Sequence, residues 1–197
     1  MESEAPMSIP VKPLPLDDLL PDPHFREHHE RWIAAPPAAV WDALHDVRLV
    51  DLTLSRTLMA LRALPARLQG QPRPRMVSAR LLEEGPVPVL ASDCERSVIA
   101  GGVMQPWKLA GAVKPPVLDL DGLRDFDEPG WVKTTMDFVL EPESVGTRLR
   151  TETRVRATDA RTRARFGLYW LAIRAGSGLI RRDLLREVSR RAQDAAQ

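Results

Sequence analysis

Residues 147–157, TRLRTETRVRA, form the stretch that decides the fold. Leu149, Thr151, Thr153 and Val155 fall on one side of an alternating pattern, and the charged residues fall on the other. A repeat of two is typical of a β-strand, because successive strand residues point to opposite faces. The pattern therefore predicts an antiparallel strand with one face on a core and the other in water.

The segment before this strand has the same character. Residues 131–140 place five mostly apolar side chains on one face: Val132, Thr134, Met136, Phe138 and Leu140. We therefore expect residues 131–140 and 147–157 to form neighbouring strands, with a short turn between them.

A long helix is predicted after these strands. Asp159 is a good N-cap, and Phe166, Trp170 and Ile173 then recur at helical spacing. Glycines at 176 and 178 interrupt the pattern before it resumes. We therefore expect a helix that is kinked or broken near residue 176, with Ser177 capping its second half.

The N-terminal half of the chain predicts a strand, two short helices and more strands. Residues 25–34 form the first strand, and helices follow at 38–47 and 49–64. Strand-like segments occupy 77–83, 87–92 and 95–103, and Gly101-Gly102 indicates a bulge or a close approach. Residues 104–130 form a long connection, in which 107–113 is a possible strand.

This order of elements predicts the fold class and the domain limits. Strands that are followed by a helix, rather than alternating with helices, indicate an α+β fold. The long C-terminal helix is expected to cover the concave, apolar face of a curved antiparallel sheet. We assign residues 24–192 to a single domain. Residues 1–23 are rich in proline and are predicted to be a tail without helix or central strand.

Two segments carry a resemblance to a known superfamily. Residues 33–44, IAAPPAAVWDAL, resemble the point where the first strand leads into a helix in START-like proteins, which include the SRPBCC, Bet v 1-like and polyketide cyclase proteins. Phe166, Tyr169, Trp170 and residues 173–181 resemble a bacterial branch of that superfamily. The resemblance implies the helix-grip fold and a cavity between sheet and helix for lipids, polyketides or steroids. It implies no shared catalytic residue.

Composition excludes several other classes of protein. The chain has 197 residues, of which 44% are hydrophobic and 28% charged, as in a globular domain. A single cysteine excludes an intrachain disulfide and a cysteine-based metal cluster. No apolar run is long enough to span a bilayer, and the N-terminus lacks the pattern of a secretory signal. We therefore expect a cytoplasmic protein, a monomer or a homodimer, without a transmembrane segment.

The C-terminal quarter is basic, since residues 148–197 contain 13 arginines and 5 acidic residues. Such a segment can contact nucleic acid or another anionic partner, and a partner-binding module is one open alternative. The arginines are not interleaved with aromatic residues as in a single-strand-binding groove. We expect no nucleic-acid partner, and a solvated face balanced by acids elsewhere, with candidates at Asp119, Asp121, Asp125, Asp127 and Glu128.

Few residues have the spacing that metal or nucleophilic chemistry requires. His24, His28 and His29 lie at the start of the first strand, where adjacent side chains point to opposite faces. We therefore expect a solvated strand end and no metal site. Ser177 lacks the surrounding motif of an activated serine, and no nucleotide loop is present, so no cofactor is predicted.

A set of aromatic, apolar and hydroxyl side chains is the best candidate site. Ligand pockets are mostly apolar with a few placed polar groups, and this set has that character. The same residues could instead fill a core, because threonine suits a strand. The predicted ligand-binding residues are Trp107, Trp131, Thr134, Met136, Phe138, Leu149, Thr151, Thr153, Phe166 and Trp170.

Two functions follow from this set. The first is binding or transport of a hydrophobic small molecule between the sheet and the C-terminal helix. The alternative is a cyclase or dehydratase that folds a polyketide-like substrate there and moves protons. Tyr169, Arg174, Asp137 and Glu152 are its acid–base candidates. The alternative is disfavoured because no carboxylate or histidine is predicted on the inner face.

Overall fold

The computed structural model describes residues 16–52, 80–83, 87–108 and 114–197. One strand, short helices, an antiparallel set of strands and a long helix follow one another, which confirms the predicted α+β order. The elements are α1 (Leu16–Leu19), β1 (Phe25–Ile33), α2 (Pro37–Asp46), a 3-10 turn (Leu49–Asp51), β2 (Val89–Asp93), β3 (Ser97–Met104), α3 (Leu120–Asp125), β4 (Val132–Glu143), β5 (Gly146–Ala157) and α4 (Ala160–Ala195).

The described strands form one five-stranded antiparallel sheet in the order β1-β5-β4-β3-β2. β4 and β5 pair along their whole length, with Met136 opposite Thr153 and Leu140 opposite Leu149. Paired residues in an antiparallel ladder point to the same face. The alternating side chains of both strands therefore meet on one face, as the sequence predicts.

Helix α4 covers this face, which we call the inner face, and contacts β1, β4 and β5 there. The arginine-bearing side of β5 points away from the helix, because its residues have the opposite parity to Leu149 and Val155. A sheet with a long C-terminal helix across it and short helices after the first strand defines the helix-grip fold. The fold implied by the START-like resemblance is confirmed.

The C-terminal part of α4 closes a tightly packed core with α2. Leu184 and Val188 are fully buried against the sheet residues Phe138 and Leu149, and Leu44 of α2 joins the same cluster. Side chains from four elements thus fill this end of the inner face. Burial of such side chains stabilises a fold by roughly 1.5–3 kcal/mol each relative to exposure.

The predicted break in the C-terminal helix is wrong. α4 runs without interruption from Ala160 to Ala195, through both glycines. Asp159 caps it as predicted, since its carboxylate accepts a hydrogen bond from Thr162 N at 2.8 Å. A helical glycine costs about 1 kcal/mol relative to alanine, which packing of the helix against a sheet can offset.

The proline-rich N-terminal segment also departs from expectation, because part of it is helical. α1 forms in the proline-free run 16–20, and Leu16, Leu19 and Leu20 are buried. Leu16 and Leu19 pack in one cluster with Ile99 and Val103, on the outer face of the sheet, opposite α4. Apolar side chains at this spacing can form a single helical turn when a sheet offers them a partner.

The long connection 104–130 contains α3, which the sequence analysis missed. Asp119 caps it by accepting a hydrogen bond from Gly122 N at 2.8 Å. Leu123 of α3 explains the close approach predicted at the paired glycines, because a Cβ on Gly101 would lie 2.8 Å from Leu123 Cδ2. Of the possible strand 107–113, Trp107 and Lys108 form no strand, and 109–113 lies outside the described residues.

Two other predicted elements fall partly outside the described residues. The helix at 49–64 begins as the 3-10 turn, and its residues from 53 onward are outside. Within 77–83, residues 80–83 form a single bridge, Arg48 to Arg80, and a turn rather than a strand. None of the helices in the described part of the chain is long and apolar enough to cross a membrane.

Acids do balance many C-terminal arginines, but they are not the predicted ones. Arg148 pairs with Glu143 and Glu30, and Arg154 pairs with Asp17 of α1. Asp121 and Asp125 instead pair with Arg124 inside their own segment. The reason lies in the strand pairing. Residues on neighbouring strands and on α1, which folds back onto the sheet, are closer to the β5 arginines than the acidic residues of the 104–130 connection are.

Candidate functional site

The floor of the candidate site is the inner face of β4 and β5. Thr134 lies opposite Val155, and Met136 lies opposite Thr153. These side chains are shorter or more flexible than Phe138 and the paired leucines farther along the strands. The side chains of the sheet therefore fill less of the space beneath the helix at this end.

The roof of the site is the N-terminal half of α4. Phe166, Trp170 and Ile173 recur every three or four residues and so face the sheet together. Phe25 of β1 closes one side, with its ring centroid 4.9 Å from that of Phe166 and 5.8 Å from that of Trp170. An aromatic cluster thus supports the helix at this end.

Between floor and roof lies a cavity of about 200 Å³. Most of its lining atoms belong to apolar or aromatic side chains, and a few hydroxyls and one guanidinium interrupt them. The lining residues are Val87, Met104, Pro106, Thr134, Met136, Thr153, Val155, Phe166, Tyr169, Trp170, Ile173, Ser177 and Arg181.

The volume limits what the cavity can hold. An apolar cavity of about 150 Å³ accommodates benzene, and drug-sized ligands occupy sites of roughly 300–1,000 Å³. A cavity of about 200 Å³ therefore matches a single ring with a small substituent, or a short chain.

Five of the predicted site residues line this cavity: Thr134, Met136, Thr153, Phe166 and Trp170. Trp107 lies beside it, with its ring 6.3 Å from that of Phe166. The structure thus brings the strand threonines and the helix aromatics together, as the alternation and the helical spacing indicate.

The other four predicted residues lie elsewhere. Phe138, Leu149 and Thr151 are on the inner face but are fully buried farther along the strands, away from the cavity. Trp131 is on the outer face, where it packs with Leu123 and Phe126 of the α3 segment. Trp131 therefore lies outside the cavity, because it has the parity of Lys133, which points away from α4.

Among the described residues that line the cavity, Arg181 is the one charged side chain. Its Nη2 donates a hydrogen bond to Thr153 Oγ1 at 3.0 Å. Burial lowers the pKa of Arg181 to about 10, although the nearby charges of Glu27 and Asp137 oppose the shift. The guanidinium therefore stays protonated at neutral pH.

Next to the cavity, three polar side chains form a chain of contacts that sequence reasoning missed. Ser177 Oγ donates a hydrogen bond to Glu27 Oε2 at 2.9 Å, and His29 Nε2 lies 2.9 Å from Glu27 Oε1. Ser177 lines the cavity and connects it to the carboxylate of Glu27. The carboxylate, rather than the imidazole, contacts the serine, so this is not the arrangement of a serine nucleophile and its base.

This cluster overturns two expectations. A carboxylate and a histidine do lie on the inner face, because Glu27 and His29 pair with Thr153 and Thr151 of β5. Ser177 does not cap a helix. It faces β1, and the missing side chain of Gly178 allows the approach, since a Cβ there would lie 3.0 Å from Glu27 Oε1.

The signal for this cluster was weak in the sequence. β1 carries charged or polar residues at both parities, so its alternation does not indicate which face is covered. The useful clue was the glycine pair in α4, since a small residue in a helix can mark a close approach of another element.

The histidines do not assemble a metal site. Within the described residues, no group of three or more histidine, cysteine or acidic side chains is placed to hold a metal ion. His29 contacts Glu27, and His24 Nδ1 accepts a hydrogen bond from Ala157 N at 3.1 Å. His28 points to the opposite face from His29, as strand geometry requires.

The remaining acid–base candidates are not grouped around the cavity. Asp137 and Glu152 oppose each other on the outer face, and Arg174 is exposed on α4. Only Tyr169 of that set lines the cavity. Burial raises the pKa of Asp137 to about 6, against the effect of its hydrogen bond from Glu152 N at 2.7 Å.

No family model matches the chain, and no curated protein matches it in sequence. Solved structures that resemble it include MLL2253 from Mesorhizobium loti, with 16% identity over 84% of this chain and 98% of that chain and a TM-score of 0.40. NE0264 from Nitrosomonas europaea has 15% identity over 90% and 98%, with a TM-score of 0.43. CalU16 from Micromonospora echinospora has 16% identity over 86% and 84%, with a TM-score of 0.30. The fold assignment rests on the element order, sheet order and helix placement described above.

Proposed function

We propose that this chain binds a small, mainly apolar molecule in the cavity between the sheet and α4. The observation that supports the proposal is a gap of about 200 Å³ beneath the N-terminal half of α4, whereas the C-terminal half of the helix packs on a filled core. Apolar and aromatic side chains surround the gap, and the polar groups that reach it are few. This composition is typical of ligand pockets.

The size of the cavity narrows the ligand class that the START-like resemblance implies. A steroid or a long acyl chain is larger than a site that fits one substituted ring. We therefore favour a monocyclic or short-chain compound as the occupant of the cavity bounded by the described residues. The ring would contact Phe166 and Trp170 from the helix and Met136 from the sheet.

Ethylbenzene is a suitable probe, because it is an apolar ring of the expected size. A ligand that binds only the folded state raises the free energy of unfolding, by about 2.7 kcal/mol at a hundredfold excess over Kd. We expect saturating ethylbenzene to raise the Tm and to give a saturable signal in isothermal titration calorimetry.

A matched pair of variants tests the location. Ile173→Trp fills the cavity from α4 and should abolish binding of ethylbenzene. Leu171→Trp adds the same ring two positions away, on the exposed side of the helix, and should leave binding intact. Failure of the wild-type chain to bind ethylbenzene, or equal loss in both variants, would overturn the proposal.

A second candidate function is acid–base catalysis on the bound molecule, the cyclase or dehydratase alternative. The observation that favours it is the path from the cavity through the Ser177 hydroxyl to the paired Glu27 and His29. A carboxylate behind a hydroxyl can accept a proton taken from a substrate. The reaction class would be proton abstraction next to a carbonyl group.

Phenylacetone tests this candidate, because it combines a ring of suitable size with acidic C–H bonds beside a carbonyl. In deuterated water, the wild-type chain should speed exchange of those hydrogens, as followed by NMR. Glu27→Gln should remove the acceleration while retaining binding of ethylbenzene. Exchange at the same rate with and without the protein would exclude this function.

A further inference from the structure

Among the described residues, the wall of the cavity carries a cation that has no direct ion pair, although the charges of Glu27 and Asp137 act on it through space. This cation is Arg181, and a guanidinium has several N–H donors to satisfy. Among the described residues it makes one hydrogen bond, to Thr153 Oγ1 at 3.0 Å, and no ion pair. Buried arginines usually have a carboxylate partner or extensive hydrogen bonding, since an unpaired buried charge is costly.

Neither of the two carboxylates whose charges act on Arg181 forms an ion pair with it. Both oxygens of Glu27 already have partners, Ser177 on one side and His29 on the other. Asp137 lies on the outer face of the sheet, where Glu152 N donates to it. The arrangement therefore leaves donor capacity directed to the space beneath α4.

Arg181 also differs from the other arginines of the C-terminal helix. Arg190 and Arg191 pair with Glu187 on their own helix, and Arg174 is exposed to water. Arg181 is instead partly buried, on the wall of the cavity, and burial lowers its pKa. A cation in such surroundings binds an anion more strongly than a cation in water does.

We propose that the ligand is a small carboxylic acid, with its carboxylate on Arg181 and its apolar body among Trp170, Met136 and Val155. This inference rests on the proposed binding function and adds the chemistry of the head group. An arginine can bind a carboxylate through two parallel N–H···O bonds, which gives orientation as well as affinity. The Thr153 hydroxyl holds the guanidinium in place on the sheet side.

Three probes of similar size separate the head group from the body. Phenylacetate is ionised at neutral pH, phenylacetamide is its uncharged counterpart, and ethylbenzene lacks a polar group. Isothermal titration calorimetry on the full chain gives the three affinities. A hydrogen bond to a charged group contributes enough that we expect phenylacetate to bind about 10- to 100-fold more tightly than phenylacetamide.

Three variants test whether Arg181 causes the expected preference for phenylacetate over phenylacetamide. Two of them change Arg181, and the third is a control at another position. Arg181→Met should remove the advantage of phenylacetate over phenylacetamide, and the ratio of these two affinities is the readout. Arg181→Lys keeps the charge and should retain part of the advantage, which guards against an effect of misfolding. Arg174→Met removes an exposed arginine from the same helix and should change none of the affinities. Circular dichroism checks that each variant is folded.

The outcomes separate this inference from the function on which it rests. If ethylbenzene binds but phenylacetate has no advantage over phenylacetamide, the head-group assignment is wrong and the apolar site stands. The assignment is also wrong if phenylacetate keeps its advantage in Arg181→Met. If none of the three probes binds the wild-type chain, the proposed binding function fails, and the carboxylate assignment fails with it.

Discussion

The two halves of α4 cover the same sheet but pack against it differently. From Phe166 to Arg181 the helix lies above a cavity, over threonines and a methionine. From Leu184 to Ala192 it lies in a filled core over Phe138 and other large apolar side chains, with α2 packed beside it. The difference shows that side-chain volume on β4 and β5, and the position of α2, determine where a ligand can fit.

The largest expected effect is loss of a side chain from the filled half. Phe138 is completely buried, so Phe138→Ala should reduce the free energy of unfolding by about 3–5 kcal/mol. Leu171→Ala, on the exposed side of α4, should change it by less than about 0.5 kcal/mol. Urea denaturation of both variants measures the contrast. A small effect of Phe138→Ala would mean that this half is not tightly packed.

On the outer face of the sheet, behind the cavity, the partly buried carboxyl of Asp137 predicts that the free energy of unfolding depends on pH. The folded-state pKa of Asp137 is about 6, above its ordinary value of 3.8. The native state then binds more protons between these values, so this group lowers the free energy of unfolding as pH rises through that window. A shift of about 2 pKa units corresponds to roughly 2–3 kcal/mol.

Asp137→Asn should remove this contribution, and the difference between its pH profile and that of the wild-type chain isolates the group from Glu152, Arg150 and Arg154 nearby. Urea midpoints measured from acid to neutral pH provide both profiles. Parallel profiles would show that Asp137 ionises normally in the folded chain.

A larger side chain should destabilise the two halves of α4 to different extents. Leu184→Phe forces extra atoms into the filled core and should cost about 1–3 kcal/mol. Ile173→Phe adds a ring where the cavity has room, and we expect a change below about 0.5 kcal/mol. Thermal unfolding of the two variants compares them. Equal destabilisation would mean that the cavity cannot accept the added ring.

The smallest expected effect concerns a buried hydroxyl in the filled half. Thr151 Oγ1 is buried and has no hydrogen-bond partner among the described residues. An unsatisfied buried polar group is costly, so the isosteric Thr151→Val should raise the free energy of unfolding by about 1 kcal/mol. Thr134→Val, at the cavity, serves as the comparison in the same urea titrations. Destabilisation by Thr151→Val would indicate that the hydroxyl has a partner in solution.

The parts of the fold that the sequence predicted best are those with a strong repeat. β4 and β5 alternate so regularly that their inner face follows from parity alone, and six of the ten predicted site residues lie on that face. The same parity rule assigns Trp131 to the outer face. Its aromatic character alone does not indicate which face it occupies. α4 was predictable from its cap and its spacing, but not its continuity, which depends on contacts with β1.

The polar contacts of Glu27, His29 and Ser177 could not be predicted from the sequence, for a different reason. β1 is an edge strand with charged or polar residues on both sides, so nothing local distinguishes Glu27 from Arg26. Their environments differ only because α4 crosses above one face. α1 was hidden in the same way, since three leucines between prolines become a helix only against the outer face of the sheet.

The absence of a side chain at Gly178 connects two properties that could otherwise vary separately. A Cβ there would lie 3.0 Å from Glu27 Oε1, so a larger residue would require the carboxylate end of Glu27 to shift slightly. Such a shift would disturb the contact between this carboxylate and Ser177, which lines the cavity. This single position therefore links the packing of the helix on β1 to the polar contact beside the cavity.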